Sequence, residues 1–189
     1  MDIERRRMFH LFKAAKEAGP YDELPMLPTD FDLQVHLSRN DRPQPFFLIC
    51  DHDTQIVQML GKGRVEFRES SVNSFDLEVG DFIFVPAGTP HRLIPDGEAV
   101  QLRYKAQHHE LEGVVWYCEE CGRELWREEW ELADRSPQEG YVKACETFNG
   151  DPSLRRCQGC GAVHPAIDLS GFRWGEIAAG LRAEAAGAA

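Results

Sequence analysis

Four cysteines in the C-terminal half of the chain have the spacing of a metal site. They form two pairs of the form Cys-x-x-Cys-Gly, at residues 118–122 and 157–161. Two such turns present four thiolates in a tetrahedron, and each glycine lets the chain turn so that backbone N–H groups point at sulfur. Zinc and iron both accept four thiolates, so the sequence predicts one zinc or iron ion without choosing between them, held by Cys118, Cys121, Cys157 and Cys160. A closed site of this kind indicates a structural role, with a redox cysteine pair as the alternative.

One histidine follows a stretch rich in glycine and proline, GDFIFVPAGTPHRL at residues 80–93. An apolar strand ends there on Pro86, Gly88 and Pro90, and His91 comes directly afterwards. This spacing suggests a metal ligand at the mouth of a small barrel. An imidazole is also suited to general base catalysis.

The elements that must position these residues are short strands. Glycine, proline, asparagine and aspartate punctuate residues 31–106 at close intervals, which predicts an all-β sandwich or barrel. The predicted strands are FDLQVHL, PFFLICD, QIVQML, RVEFRES, SFDLEV, DFIFVP and AVQLRYKA. A helix is predicted over residues 3–18, packed on the barrel, and SPQEGY at 136–141 is interpreted as a turn. We expect a barrel with its helix over 1–113, a metal module over 114–166, and a C-terminal helix with a flexible tail over 167–189.

Composition limits the classes of function. The chain has 189 residues, 42% of them hydrophobic, and a net charge of −11. The acidic balance argues against a nucleic-acid partner or an anionic membrane surface. No apolar run approaches the roughly 20 residues of a membrane helix, and no signal peptide is recognisable, so we expect a cytoplasmic protein. Cys50 and Cys145 stand alone and are expected to be buried as small hydrophobes.

Several motifs together resemble a known family. The pattern G80-x5-P86-x-G88-x2-H91 resembles the second cupin motif, and FFLICDHDTQIVQMLGKGRVEF resembles the first. With NDR at 40–42, LEGVVWYCEECG and RRCQGCGAVHP, residues 5 to 166 resemble bacterial 3-hydroxyanthranilate 3,4-dioxygenases. The resemblance implies a cupin, a jelly-roll-like antiparallel barrel, with a rubredoxin-like module and association as a homodimer. It also implies a small carboxylated aromatic substrate, whose ring is opened by iron held by two histidines and one glutamate.

The family's functional positions map onto this chain only in part. His91 matches the second iron histidine, and Arg42 matches the arginine that clamps the substrate carboxylate with its bidentate fork. The position of the first iron histidine holds Phe46, which has no donor atom, and that of the glutamate holds Gln55, a weak neutral donor. Iron affinity should therefore collapse unless His52 or Asp53, in CDHDTQ, takes the vacant place.

The remaining pocket positions also depart from the family. Arg92 is the only candidate for the second carboxylate-binding arginine, and the pocket glutamate is replaced by Arg103. By the family's pattern His36 should face the pocket. The candidate residues therefore fall into three groups. The candidate catalytic residues are His91, Arg42, Arg103 and His36, and the candidate substrate-binding residues are Arg42, Gln55, Phe46 and Arg92. The candidate ligands of a barrel metal are His91, His52 and Gln55. His10, His108, His109 and His164 are interpreted as structural or surface positions.

Three functional hypotheses follow. In the first, the barrel keeps a pocket for a carboxylated ring but loses its iron, and performs altered chemistry such as metal-independent acid–base catalysis by His91. In the second, His52 or Asp53 restores the site and the protein is an Fe(II) ring-cleaving dioxygenase. In the third, the barrel binds a ligand without converting it.

Overall fold

The protein folds into two antiparallel β-sheets packed face to face. The structure is a computed structural model and describes residues 10–26, 33–106 and 111–187. One sheet has five strands in the order β1-β2-β9-β4-β7, and the other has six in the order β11-β10-β3-β8-β5-β6. The elements are α1 (Leu11–Glu17), β1 (Leu24–Pro25), β2 (Leu33–Asn40), β3 (Phe47–Cys50), β4 (Thr54–Leu60), β5 (Gly63–Phe67), β6 (Ser74–Leu77), β7 (Phe82–Val85), β8 (His91–Pro95), β9 (Ala99–Ala106), β10 (Leu111–Tyr117), β11 (Glu124–Glu131), α2 (Pro137–Gly150) and α3 (Trp174–Gly187).

The centre of the five-stranded sheet is the β2–β9 pair, which runs from Leu33 opposite Ala106 to Asn40 opposite Ala99. Successive side chains on these strands point to opposite faces, as strand geometry requires. The outer face carries Leu37 and Val100, on which Ala15 of α1 packs. The inner face is polar and bears the paired residues His36 and Arg103.

The outer face of the six-stranded sheet carries a small buried cluster of Phe47, Ile49, Val115 and Tyr117. Arginine side chains cover this cluster, and the Arg92 guanidinium lies 4.7 Å from the centre of the Phe47 ring. The inner face of the same sheet contributes to the main core.

The main core draws side chains from the whole described chain. Leu48 comes from the barrel, Trp116 from β10, Tyr141 and Phe148 from α2, and Trp174 from α3. The Trp116 and Phe148 rings stack with centroids 4.3 Å apart, and the Trp174 Nε1–H donates to the Tyr21 carbonyl at 2.8 Å. Side chains from all three segments that the sequence delimits therefore pack together.

The all-β class and the strands predicted for the barrel are confirmed over the described residues, with additions. β8 begins at His91, where the sequence analysis placed only the end of a strand, and β10 lies in the barrel sheet, paired with β3. The predicted N-terminal helix is described from Leu11 to Glu17, and its predicted first residues lie outside the described ranges. α3 is helical to Gly187. Within the described ranges, no helix has the length and apolarity needed to traverse a bilayer.

The interpretation of SPQEGY as a turn is wrong, because these residues begin α2. The Ser136 side chain accepts from the Glu139 N–H, and the Glu139 side chain accepts from the Ser136 N–H, which forms a capping box. Pro137 follows at the first helical position, where its missing N–H costs nothing.

Candidate functional site

A connected set of charged side chains fills the polar part of the barrel interior. Arg103 donates to Glu23 Oε1, while Lys105 Nζ donates to Glu23 Oε2 at 3.0 Å and to Glu112 Oε2 at 2.7 Å. The Tyr141 hydroxyl lies 2.7 Å from Glu23 Oε2 and 3.2 Å from Lys105 Nζ. All five side chains are buried. Two cations and two carboxylates therefore lie together among buried side chains.

Burial and neighbouring charges set the ionisation of this network. Burial raises the pKa of the Glu23 carboxyl, but Lys105 and Arg103 oppose it and bring that pKa well below its usual range. The pKa of Glu112 is raised, because it is buried and faces the charge of Glu23 with Lys105 as its compensating cation. Burial lowers the pKa of Lys105, but Glu112 and Glu23 outweigh it and raise that pKa. The network is thus strongly ionic at Glu23, Arg103 and Lys105.

His91 is buried on the inner face at the start of β8, with its ring fixed by one hydrogen bond. Its Nδ1 lies 3.0 Å from the Thr89 carbonyl oxygen. A carbonyl only accepts, so Nδ1 carries the proton and Nε2 carries the lone pair. Nε2 is buried and has no hydrogen-bond partner. Burial, together with the charge of Arg103, lowers the pKa of His91 to about 3. Its imidazole is therefore neutral, with a proton acceptor in the interior.

His36 lies on β2 beside the charged network and lines a small cavity. The cavity holds about one water molecule and is also lined by Tyr21, Glu23, Ile56 and Arg103. Burial and the charge of Lys105 lower the pKa of His36 to about 3, and its Nδ1 has no hydrogen-bond partner. The structure thus brings His36, His91 and Arg103 to one interior.

The donors expected of a three-ligand iron site are not assembled there. Among the described residues, the four cysteines are the only group of three or more His, Cys, Asp or Glu side chains whose donor atoms lie within 4.8 Å of one another. Both carboxylate oxygens of Glu23 are already bonded to cations. His91 Nε2 would suit a metal, but the donor set around it does not fit a facial iron triad.

The proposed replacement ligands lie elsewhere. His52 and Asp53 are exposed in the loop before β4, and Asp53 Oδ1 accepts from the Ala87 N–H at 3.0 Å. Gln55 is half-buried on the face of β4 opposite to the buried residues Thr54 and Ile56. The structure does not bring these three predicted residues to His91.

Phe46, Arg42 and Arg92 also lie outside the charged interior. Phe46 is a core residue, with its ring 5.1 Å from that of Tyr141. The Arg42 side chain is 43% exposed and bonds to Asp41 at 2.7 Å. Arg92 donates to Glu66 at 2.9 Å on the outer face of the six-stranded sheet. Each of the two predicted carboxylate-binding arginines is therefore paired with an acidic side chain outside the charged interior.

Sequence reasoning missed the other members of the charged network to which Arg103 belongs. Lys105 could have been found, because alternation along AVQLRYKA places it on the same face as Arg103. Glu23 and Tyr141 come from a loop and from α2, and no local pattern marks them. His108 and His109 lie outside the described residues.

The four cysteines meet as the sequence predicts. The sulfur atoms of Cys118 and Cys160 lie 3.5 Å apart, as do those of Cys121 and Cys157. A tetrahedral site with bonds of about 2.3 Å separates its sulfurs by about 3.8 Å, so the group fits one ion. Cys50 and Cys145 are buried, as expected.

The two cysteine turns have the same backbone construction. The N–H of Gly122 donates to the Cys118 carbonyl at 2.8 Å, and that of Gly161 donates to the Cys157 carbonyl at 2.9 Å. Both glycines have φ between +70° and +80°, a conformation that other residues rarely adopt. The unusually long interval between the turns is occupied by β11 and α2.

Sequence comparison places the chain in a family. It is 32% identical over 123 residues to a 3-hydroxyanthranilate 3,4-dioxygenase of Bacillus thuringiensis, covering 63% of this chain and 68% of that protein. The chain therefore belongs to the 3-hydroxyanthranilate 3,4-dioxygenase family. Another protein of that name, from Xanthomonas campestris, is 24% identical over 52% of this chain and 56% of its own length. No protein-family model matches the chain.

Solved structures give weaker matches to this member of the 3-hydroxyanthranilate 3,4-dioxygenase family. A hydroquinone 1,2-dioxygenase from a Sphingomonas species aligns with a TM-score of 0.47 and 16% identity, over 51% of this chain and 72% of that chain. A cupin-2 domain protein from Shewanella frigidimarina aligns with a TM-score of 0.40 and 17% identity, over 46% and 81% of the two chains. The cupin assignment follows from the family and from the two antiparallel sheets.

Proposed function

We propose that the chain is a cupin enzyme acting on a small carboxylated aromatic molecule, anthranilate-like or aminophenol-like, and that its barrel works without iron. The observation that carries this proposal is the state of His91. Its proton is held on Nδ1 by the Thr89 carbonyl, and its Nε2 lone pair is buried in the interior without a partner. This lone pair is the proton acceptor of the proposal, and the negative charge of a bound carboxylate would raise the pKa of His91 from the low value that burial and Arg103 impose.

In this proposal His91 performs acid–base chemistry on the bound ring. Nε2 takes a proton from a hydroxyl, amino or carbon acid of the substrate, and the same proton is returned at another position or to the leaving group. The overall reaction is then an isomerisation or elimination that consumes no oxidant. Arg103 and Lys105 supply the positive charge that attracts a carboxylate.

The test compares substitution with metal removal. We expect His91→Gln to abolish conversion of anthranilate-like substrates, followed by chromatography of products, while dialysis against a chelator leaves conversion unchanged. His164→Gln, at a histidine beside the cysteine module, is the control and should retain activity. Loss of conversion on chelation, restored by Fe(II), would contradict the proposal.

A second candidate function is ring cleavage by Fe(II), which the names of the relatives favour. It predicts oxygen consumption with 3-hydroxyanthranilate and a second metal equivalent besides the cysteine-bound ion. A third candidate is ligand binding without conversion, which predicts that no product forms from any carboxylated aromatic that binds.

A further inference from the structure

The two interior cations share a carboxylate that comes from the chain itself. Glu23 lies in the loop between α1 and β1, and its two oxygens bond separately to Arg103 and Lys105. Arg103 has no other carboxylate partner among the described residues. Without Glu23, the pair would keep only Glu112 as a counter-charge, on the side of Lys105. The interior therefore needs one negative charge at this place, whatever its source.

Glu23 does not use the full capacity of Arg103. The carboxylate accepts from Nη1, and Gln44 accepts from Nη2 at 3.4 Å. The buried Nε has no hydrogen-bond partner. A guanidinium binds a carboxylate best through two parallel N–H groups, so a better-placed carboxylate would gain a bond that Glu23 does not make.

The backbone that presents Glu23 is in an unfavourable conformation. Tyr21 has φ of +51° and Glu23 has φ of +48°, in the left-handed region that side chains other than glycine rarely occupy. Side chains of other elements hold this loop, since Asn40 accepts from the Tyr21 N–H at 2.7 Å and Ser38 accepts from the Glu23 N–H at 3.0 Å. Release of the loop would relieve this strain.

We propose that Arg103 and Lys105 form the carboxylate-binding site of the barrel, and that Glu23 occupies this site as an internal substitute, which the carboxylate of a ligand displaces. The ligand class rests on the proposed function. The positions of the two cations and their bonds to Glu23 are observed in the structure and do not depend on the proposed function. In this proposal Arg103 and Lys105, which lie two residues apart on the same face of β9, take the carboxylate-binding role that the sequence predicts for Arg42 and Arg92.

The test is titration calorimetry of the full chain with benzoate, and with benzamide as the uncharged analogue. We expect Glu23→Gln to bind benzoate at least ten-fold more tightly than the wild type, because the ligand no longer competes with a tethered carboxylate. Benzamide should bind neither protein measurably. Equal benzoate affinity in the two proteins, or equal affinity for benzamide, would overturn the proposal.

Two further variants locate the effect. Glu66→Gln removes a carboxylate that bonds to Arg92 on the outer face, and it should bind benzoate as the wild type does. Glu23→Gln combined with Arg103→Met should lose the gain in affinity. Retention of tight binding by this double variant would place the site elsewhere and contradict the inference.

Hydrogen exchange on the wild type keeps the proposal testable if the variants do not fold. Saturating benzoate should accelerate exchange of the Tyr21 and Glu23 amides, because their bonds to Asn40 and Ser38 open. Unchanged or slower exchange at saturation would count against displacement. Measurement of turnover separates this inference from the proposed function. If benzoate affinity depends on Glu23 but no product forms from any substrate, the proposed function is wrong and the inference stands. If product forms but benzoate affinity does not depend on Glu23, the inference is wrong and the proposed function stands.

Discussion

His91 and His36 are held neutral in the barrel, each with a pKa of about 3, because burial and the nearby cations oppose a further positive charge. In the unfolded chain a histidine titrates near pH 6.5. Between these values the unfolded state binds more protons than the folded state. The free energy of unfolding must therefore fall as the pH is lowered below about 6.5.

We predict that His91→Gln removes part of this acid sensitivity. Because the unfolded state takes up a proton that the folded state does not, each neutral buried histidine lowers the free energy of unfolding by about 1.4 kcal/mol as the pH falls from 7.5 to 5.5. Urea unfolding of wild type and variant at several pH values measures the difference in slope. Val163→Ser changes an exposed side chain that does not titrate and should leave the slope unchanged. Identical slopes for wild type and His91→Gln would mean that His91 has the same pKa in the folded and unfolded proteins, which contradicts a neutral buried imidazole.

The placement of single residues marks the limit of prediction from the sequence. His91 is predicted from the glycine- and proline-rich motif before it, and Arg103 from the family resemblance, as the residue at the pocket-glutamate position. Gln55 was placed by counting back from Leu60, across a β-bulge between Gln58 and Leu60. A bulge adds a residue to one strand, so a count across it does not give the face reliably. Glu23 reaches the interior through left-handed backbone that leaves no sequence signal.

At the scale of elements, α2 packs against β11 through a glycine. A Cβ at Gly140 would overlap ring atoms of Trp130, so a side chain cannot fit there unless the helix or the ring shifts. We predict that Gly140→Ala lowers the free energy of unfolding by about 2–4 kcal/mol through overpacking. Gly150→Ala, at the end of the same helix with open space around it, should be neutral or slightly stabilising. Denaturant titration of both variants checks this, and equal stabilities would show that the contact is loose.

The cysteine turns are the element with the strongest sequence signal, and their metal content is directly testable. We predict one zinc or iron equivalent per chain, by elemental analysis, and its loss in Cys118→Ser. Cys145→Ala changes a buried cysteine outside the group and should keep the metal. Two equivalents in the wild type, with one surviving in Cys118→Ser, would reveal a barrel metal and refute the iron-free proposal.

At the scale of the whole molecule, one edge of the sandwich is unusually apolar. Phe82 and Phe84 on the edge strand β7 are 56% and 51% exposed, on the face of β4 and β7 that also carries Gln55 and Val57. A chain with a net charge of −11 associates best through a face that lacks charge. We propose this face as the interface of the expected homodimer.

We predict that the double variant Phe82→Ser and Phe84→Ser is monomeric in sedimentation equilibrium at a concentration where the wild type is dimeric. Val163→Ser changes an exposed apolar residue near the cysteine turns and should not alter the mass. A wild type that is already monomeric, or a variant that remains dimeric, would exclude this face as the interface.

The strands of the barrel could be predicted from the sequence, whereas the packing of α2 and α3 against the barrel could not. Alternating strands and turn residues in 31–106 are local signals, whereas the packing of α2 and α3 depends on long-range contacts. Trp174 illustrates this, because its ring stacks on Phe172 at 4.3 Å and its indole N–H reaches back to Tyr21. No periodicity in an Ala- and Gly-rich tail marks one tryptophan as a core residue.

The chain that joins the two cysteine turns is also the chain that forms β11 and α2. An ion at the turns would pin both ends of this stretch, while Trp130, Tyr141 and Phe148 anchor its middle in the core. Tyr141 in turn contacts Glu23 and Lys105. Loss of that ion would loosen the attachment of this stretch to the charged interior of the barrel. Metal occupancy of the cysteine turns and ligand affinity of the barrel should therefore change together, although the two sites lie apart in the fold.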